Sequence, residues 1–168
     1  MIFKFLSKNF YISFSIVALI YFLDRLSKIY VIQLDKNNLG SDIFNSAYLN
    51  IVLIWNKGIA FGLLSFNESY LYNIISLIIA IIIIVLVIMS LKSQGFKRYS
   101  LLIIVGGALG NLHDRIFFNA VPDFIDFHVE NFHWFIFNVS DIFITFGVIS
   151  MVIIELIEKD KYDNDKNI

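Results

Sequence analysis

From Ile74 to Leu91 the chain runs for 18 residues without an ionisable side chain. Isoleucine, leucine and valine dominate the run, a composition that would favour strand in water. Hydrocarbon offers no water to unpaired amides and carbonyls, so a lone strand cannot exist there and a helix can. About 20 mostly apolar residues cross a bilayer core. By that measure four segments qualify as membrane helices, at about 10–32, 70–91, 99–118 and 137–157. The composition agrees: 58% of the 168 residues are hydrophobic and the mean hydropathy is +0.77. A soluble chain of that kind would expose large apolar patches. One proline, eight glycines and no internal repeat predict a single integral membrane domain over 1–168.

The totals also exclude. A formal net charge of −1 argues against a nucleic-acid partner. With no cysteine there is no disulfide, no thiol catalysis and no cysteine metal site. Lys4 and Lys8 before the apolar run Phe10–Leu23 imitate a signal peptide, but no small-x-small cleavage pattern follows. Asp24, Arg25 and Lys28 follow instead, which predicts an uncleaved first membrane helix.

Lysine and arginine set the orientation. Lys4 and Lys8, then Lys92, Lys97 and Arg98, then Lys159, Lys161 and Lys166 fall at one side, and only Lys36 and Lys57 at the other. Both termini are thus expected in the cytoplasm, with 33–69 and 119–136 facing outward. Asp24 then lies ~21 Å along helix 1 and Asp114 ~22 Å along helix 3, at 1.5 Å per residue. Asp141 falls near the outer start of helix 4. Polar groups of three helices meet at one depth, near the outer boundary of the bilayer core. Ionisable groups there are costly and point to function.

Within the first outer segment, Tyr48–Asn56 is β-branched and aromatic and reads as a short strand or hairpin on the membrane surface. Asn56–Leu64 supplies turn glycines and apolar residues that dip into the interface. Asn131–Phe137 supplies aromatics for the interfacial belt. The expected fold is all-α, four transmembrane helices with a small β-containing extracytoplasmic segment between helices 1 and 2. The tail from Lys159 reads as disordered.

The chemistry centres on Asp123 and Asp141, 18 residues apart and able to face each other across the second outer segment. Two close carboxylates can share one proton, one activating water while the other donates. Asn138, three residues before Asp141, can orient it. Asn111, Asp114 and Arg115 cluster within about one helical turn. Charge at that depth calls for pairing: Asp114 or Asp24 with Arg115, and Lys28 with Asp24 or a lipid phosphate. Blander roles exist for each: an interfacial cap for Asp24, Arg25 and Lys28, a structural ion pair for Asp114–Arg115, a helix cap for Asp141. Asp126 and Glu130 read as solvated loop acids. His113, His128 and His133 do not fall at a zincin spacing, so no metal and no cofactor is expected. A proton-coupled transporter is the rival from another class, but it needs polar groups at the midplane and inner face.

Five blocks in order resemble the lipoprotein signal peptidases, the signal peptidase II family of bacterial membrane aspartic proteases. They are DRLSK (24–28), NKGIAF (56–61), GGALGNLHDR (106–115), VPDFIDF (121–127) and FNVSD (137–141). The resemblance covers nearly the whole chain. It implies that Asp123 and Asp141 form the catalytic dyad and that Asn56, Gly58, Asn111, Arg115 and Asn138 line or support it. Asp24, Lys28 and Asp114 join these as supporting residues. It implies a diacylglyceryl-modified prolipoprotein as substrate, cut just before the lipidated cysteine, at the outer face of the cytoplasmic (inner) membrane. Globomycin-type inhibitors are expected to bind, membrane lipids to surround the chain, and the chain to act as a monomer. Pro122, His113 and Ser140 depart from the commoner residues of those blocks without removing a polar group the mechanism needs.

Overall fold

The computed structural model describes residues 8–37, 43–58, 69–130 and 132–166. In chain order the elements are α1 (Lys8–Asn37), β1 (Leu49–Asn56), α2 (Ser69–Lys92), α3 (Gly95–Phe118), β2 (Val121–Val129), β3 (Phe132–Phe137) and α4 (Val139–Lys166). The stretch 59–68, most of the expected turn and interfacial dip, lies outside the described residues.

The helices outrun their apolar cores at the polar ends, where water satisfies the backbone and hydropathy says nothing. α1 continues past 32 to Asn37, and α3 begins at Gly95 rather than 99. The tail expected as disordered is helical to Lys166. α3 stops at Asn119, whose φ of 53° is the left-handed residue that closes many helices.

Among the described residues, three helices are long and apolar enough to cross a membrane: Tyr72–Lys92, Gly95–Phe118 and Val139–Lys159. The expected first span is a 30-residue helix that is not among these three. α3 is the hub, packing against α1, α2 and α4. Its span is 61% buried, against 11% for α2 and 17% for α4, so α2 and α4 lend it one face each. Two glycines permit the approach of α4. A Cβ on Gly107 would lie 2.7 Å from the Ser140 carbonyl, and one on Gly110 would collide with the Asp24 carboxylate and the Ser140 hydroxyl. Small residues at such contacts let helix backbones close up in a membrane.

The β structure departs from expectation. It is a three-stranded antiparallel sheet in the order β1-β2-β3, and two of its strands lie between α3 and α4. Tyr48–Asn56 does supply a strand, but its partner is 65 to 78 residues away: Asn56 pairs with Val121, Asn50 with Asp126 and Leu49 with Phe127. The VPDFIDF block, expected as a loop, is thus the central strand. Its proline is tolerated near the strand start. The aromatics of 131–137, read as an interfacial belt, form the outer strand β3.

Candidate active site

Two buried polar assemblies meet at α3. The first is ionic. Lys28 of α1 is fully buried, with its ammonium 2.9 Å from Asp24 and 2.7 Å from Asp114. Arg25 lies 2.6 Å from Asp114 and 3.2 Å from Asp24. Two acids and two bases leave no net charge, the condition under which buried ions are tolerated. Asp24 also accepts the Ser140 amide at 3.0 Å, satisfying an N–H that the start of α4 leaves without an intrahelical partner. One carboxylate of α1 therefore joins α1 to α4.

The second assembly is a closed ring of hydrogen bonds through both candidate carboxylates. Asn138 donates its side-chain amide to Asp123 at 2.6 Å and its backbone amide to Asp141 at 3.1 Å. Asp141 returns its own backbone amide to the Asn138 side-chain oxygen at 3.2 Å. Asn138 and Asp141 are thus the two halves of a capping box at the start of α4. Asn56 donates to the other Asp123 oxygen at 2.9 Å and accepts the Gly58 amide at 2.7 Å. The Gly58 carbonyl accepts from Arg115, which also donates to the Asn111 carbonyl, both at 3.2 Å. Asn111 donates to the other Asp141 oxygen at 2.8 Å, closing the ring. Its side-chain oxygen meanwhile accepts from Lys28 at 2.9 Å, which links the ring to the ionic cluster.

Each carboxylate oxygen of the pair therefore faces an N–H donor. The surroundings also fix the asparagine orientations: every side-chain oxygen meets a donor and every NH2 meets a carboxylate. Asp123 is 4% exposed. Burial pushes its carboxyl up to about 6, helped by the negative charge of Asp141 and opposed by the bonds from Asn56 and Asn138. A carboxyl that titrates near neutrality suits proton transfer.

Every predicted site residue joins one assembly: Asp24, Lys28 and Asp114 the first, and Asn56, Gly58, Asn111, Arg115, Asp123, Asn138 and Asp141 the second. The expected pairing of Arg115 with Asp114 or Asp24 is not what forms. Those acids are taken by Arg25 and Lys28 of α1, and Arg115 clamps two backbone carbonyls instead. Arg25 was missing from the predicted set; Asp114, one charge too deep in α3 to stand alone, was the signal for it. Nor is Asp126 a solvated loop acid. It is 3% exposed, accepts from Asn50 at 3.3 Å and pairs with His133 at 2.8 Å. Glu130 is exposed, in the β2–β3 turn.

An apolar groove of about 510 Å³ opens beside Asp141. It descends one face of α4 along Ile142, Thr145, Phe146 and Ile149, with Trp134 and Phe137 of β3 over it. A polar chain end held at the carboxylates could thus continue into an apolar slot.

Comparison with known proteins converges on one family. The signal peptidase II family model matches residues 16–157. The lipoprotein signal peptidase of Pelagibacter ubique (strain HTCC1062) is 48% identical over 160 residues, spanning 95% of this chain and 96% of that protein. That of Anaplasma phagocytophilum (strain HZ) is 43% identical, over 80% of this chain and 85% of its own. Two solved structures of a bacterial membrane enzyme superpose with TM-scores of 0.72 and 0.70 at 29% and 32% identity. They cover 89% and 86% of this chain and 90% and 92% of theirs.

Proposed function

This chain belongs to the signal peptidase II family of aspartic peptidases, which remove signal peptides from prolipoproteins, and on that premise we propose that Asp123 and Asp141 are its catalytic pair. The observation that carries the assignment is Asn138, one residue holding both carboxylates. The ionised member takes a proton from water, whose oxygen attacks the scissile carbonyl carbon. The protonated member hydrogen-bonds the carbonyl oxygen, then delivers its proton to the leaving nitrogen as the C–N bond breaks. Asp123, with its carboxyl pushed up to about 6, can hold the shared proton.

The remaining residues position this pair. Asn56, Asn111 and Asn138 donate to it, Arg115 ties the Gly58 loop to α3, and Asp24, Lys28 and Asp114 hold α1, α3 and α4 at one depth. The substrate is a prolipoprotein bearing diacylglyceryl on its cysteine, cut just before that residue. The groove beside Asp141 favours this reading, because it carries apolar chain from the carboxylates down α4. The chain acts as one integral unit of four spans, as a monomer. Its termini are cytoplasmic and its pair lies at the outer face, where globomycin-type inhibitors would compete with substrate.

The test is cleavage of a diacylglyceryl-modified prolipoprotein by the purified full chain in detergent, with and without chelator. Release of the signal peptide just before the lipidated cysteine, indifferent to chelator, is expected. Asp123→Asn and Asp141→Asn should each lose about 10³-fold or more while remaining folded. Turnover retained in either folded variant would falsify the pair.

A further inference from the structure

At the opposite end of α3, about 24 Å along the helix from Asp114, lies a polar cavity of about 390 Å³. Three elements build it: Asn9 and Ile12 from α1, Lys92 from the end of α2, and Ser93, Gln94 and Arg98 around the start of α3. Among the described residues, two cations line it and no acid does, in a chain whose net charge is −1.

The third basic residue of this stretch behaves differently. Lys97 is paired with Glu155 at 2.9 Å and Glu158 at 3.8 Å, so it is neutralised toward α4. Lys92 has no partner among the described residues. Arg98 spends one amino group on the Asn9 carbonyl at 3.2 Å and the Ser13 hydroxyl at 2.6 Å. Its other amino group and its Nε have no partner among the described residues. Ser13 and Asn9 thus hold the guanidinium at the cavity, where an arginine serving only as a topological charge would extend into water.

The cavity also lies at a defined level. One membrane span ends at Lys92 and the next begins at Gly95. Leu91 and Phe96, 70% and 82% exposed, flank it with apolar surface. That is the boundary where lipid phosphates lie. Basic pockets between helices at this boundary suit anionic headgroups, and guanidinium groups suit phosphate oxygens.

The geometry points to a binding site for the phosphodiester headgroup of an anionic phospholipid, held by Lys92 and Arg98 between the ends of α1, α2 and α3. The site is independent of the peptidase reading, since it shares no residue with the carboxylate ring.

The test uses the full chain reconstituted in nanodiscs containing equal phosphatidylcholine and phosphatidylglycerol, then extracted gently and weighed by native mass spectrometry. Phosphatidylglycerol should be retained over phosphatidylcholine. That preference should fall about fivefold in Lys92→Gln and further in the Lys92→Gln/Arg98→Gln double variant, while Lys97→Gln keeps it. Equal retention of the two lipids would overturn the site. So would an equal loss in Lys97→Gln, which would mean diffuse surface charge, or displacement of the lipid by equimolar inorganic phosphate, which would mean a free-anion site. Arg98→Gln also breaks the bonds to Asn9 and Ser13 and could unfold the helix ends. Lys92→Gln removes an exposed side chain with no described partner, so it decides alone if the double variant fails to fold.

Discussion

Asp123 is held at a cost that pH exposes. Its ordinary carboxyl value is 3.8 and burial pushes it to about 6. The folded chain therefore binds this proton more tightly than the unfolded chain. Stability from this group is complete below pH 3.8 and falls as pH rises toward 6. Above that window the charged form costs about 3 kcal/mol. Asp123→Asn removes the charge but also one acceptor oxygen, worth about 1 kcal/mol. The variant should thus be inactive yet more stable than the parent by about 1–2 kcal/mol at pH 7.5, with the advantage gone near pH 4. Thermal unfolding in detergent at the two pH values measures it; a variant less stable than the parent at pH 7.5 would show that the lost bond outweighs the charge. The acids of this site were legible in the sequence, because ionisable groups beside apolar runs have few structural uses. The asparagines were legible as company for the acids. Their wiring was not, since it depends on which side-chain end meets which donor, and only Lys28, the Gly58 amide and the Asp141 amide decide that.

At the scale of elements, all four helices expected from hydropathy form, three of them apolar enough to span a membrane, and the sheet emerged only in part. β1 was visible as a β-branched run. Its partner was not, because Val121–Val129 carries two aspartates and a proline and looks like loop until the alternation is read. Asp123 and Ile125 point to one face, Asp126 and His128 to the other, and the second face is covered by Asn50 and His133. That is why Asp126, read as solvated, is buried. The helix contacts at Gly107 and Gly110 were not read from the sequence. Gly107→Ala tests the contact of α3 with α4. Its Cβ would press on the Ser140 carbonyl, a backbone atom that cannot rotate away. Overpacking of this kind costs about 1–3 kcal/mol. Because Ser140 adjoins Asp141, the shift also moves one carboxylate of the ring. Gly107→Ala is therefore expected to lower both unfolding temperature and turnover. Parent-like turnover in Gly107→Ala would mean that α4 tolerates the displacement.

The whole molecule is an apolar sleeve around a neutral polar plug. α1 is not among the three apolar spans, yet its charged Asp24 and Lys28 are 0% exposed and meet α3, not lipid. What α1 turns outward is Phe14, Leu19, Phe22, Leu26 and Ile29, all more than half exposed. At 30 residues it is about 45 Å long, enough to cross a ~30 Å core. Averaged hydropathy weighs buried and lipid-facing residues alike, so it undervalues a span whose charges face inward and cancel. Four spans require the N-terminus and the sheet to lie on opposite sides of the membrane; if α1 does not cross, they share a side. The chain has no cysteine, so single substitutions report cleanly. With a membrane-impermeant maleimide on intact spheroplasts, Lys57→Cys and Glu130→Cys should label at once, both being exposed beside the sheet. Gln94→Cys, in the α2–α3 connection, and an N-terminal cysteine should label only after permeabilisation. Immediate labelling of the N-terminal cysteine together with Lys57→Cys would reduce the chain to three spans and put the ionic cluster of α1 at the membrane surface.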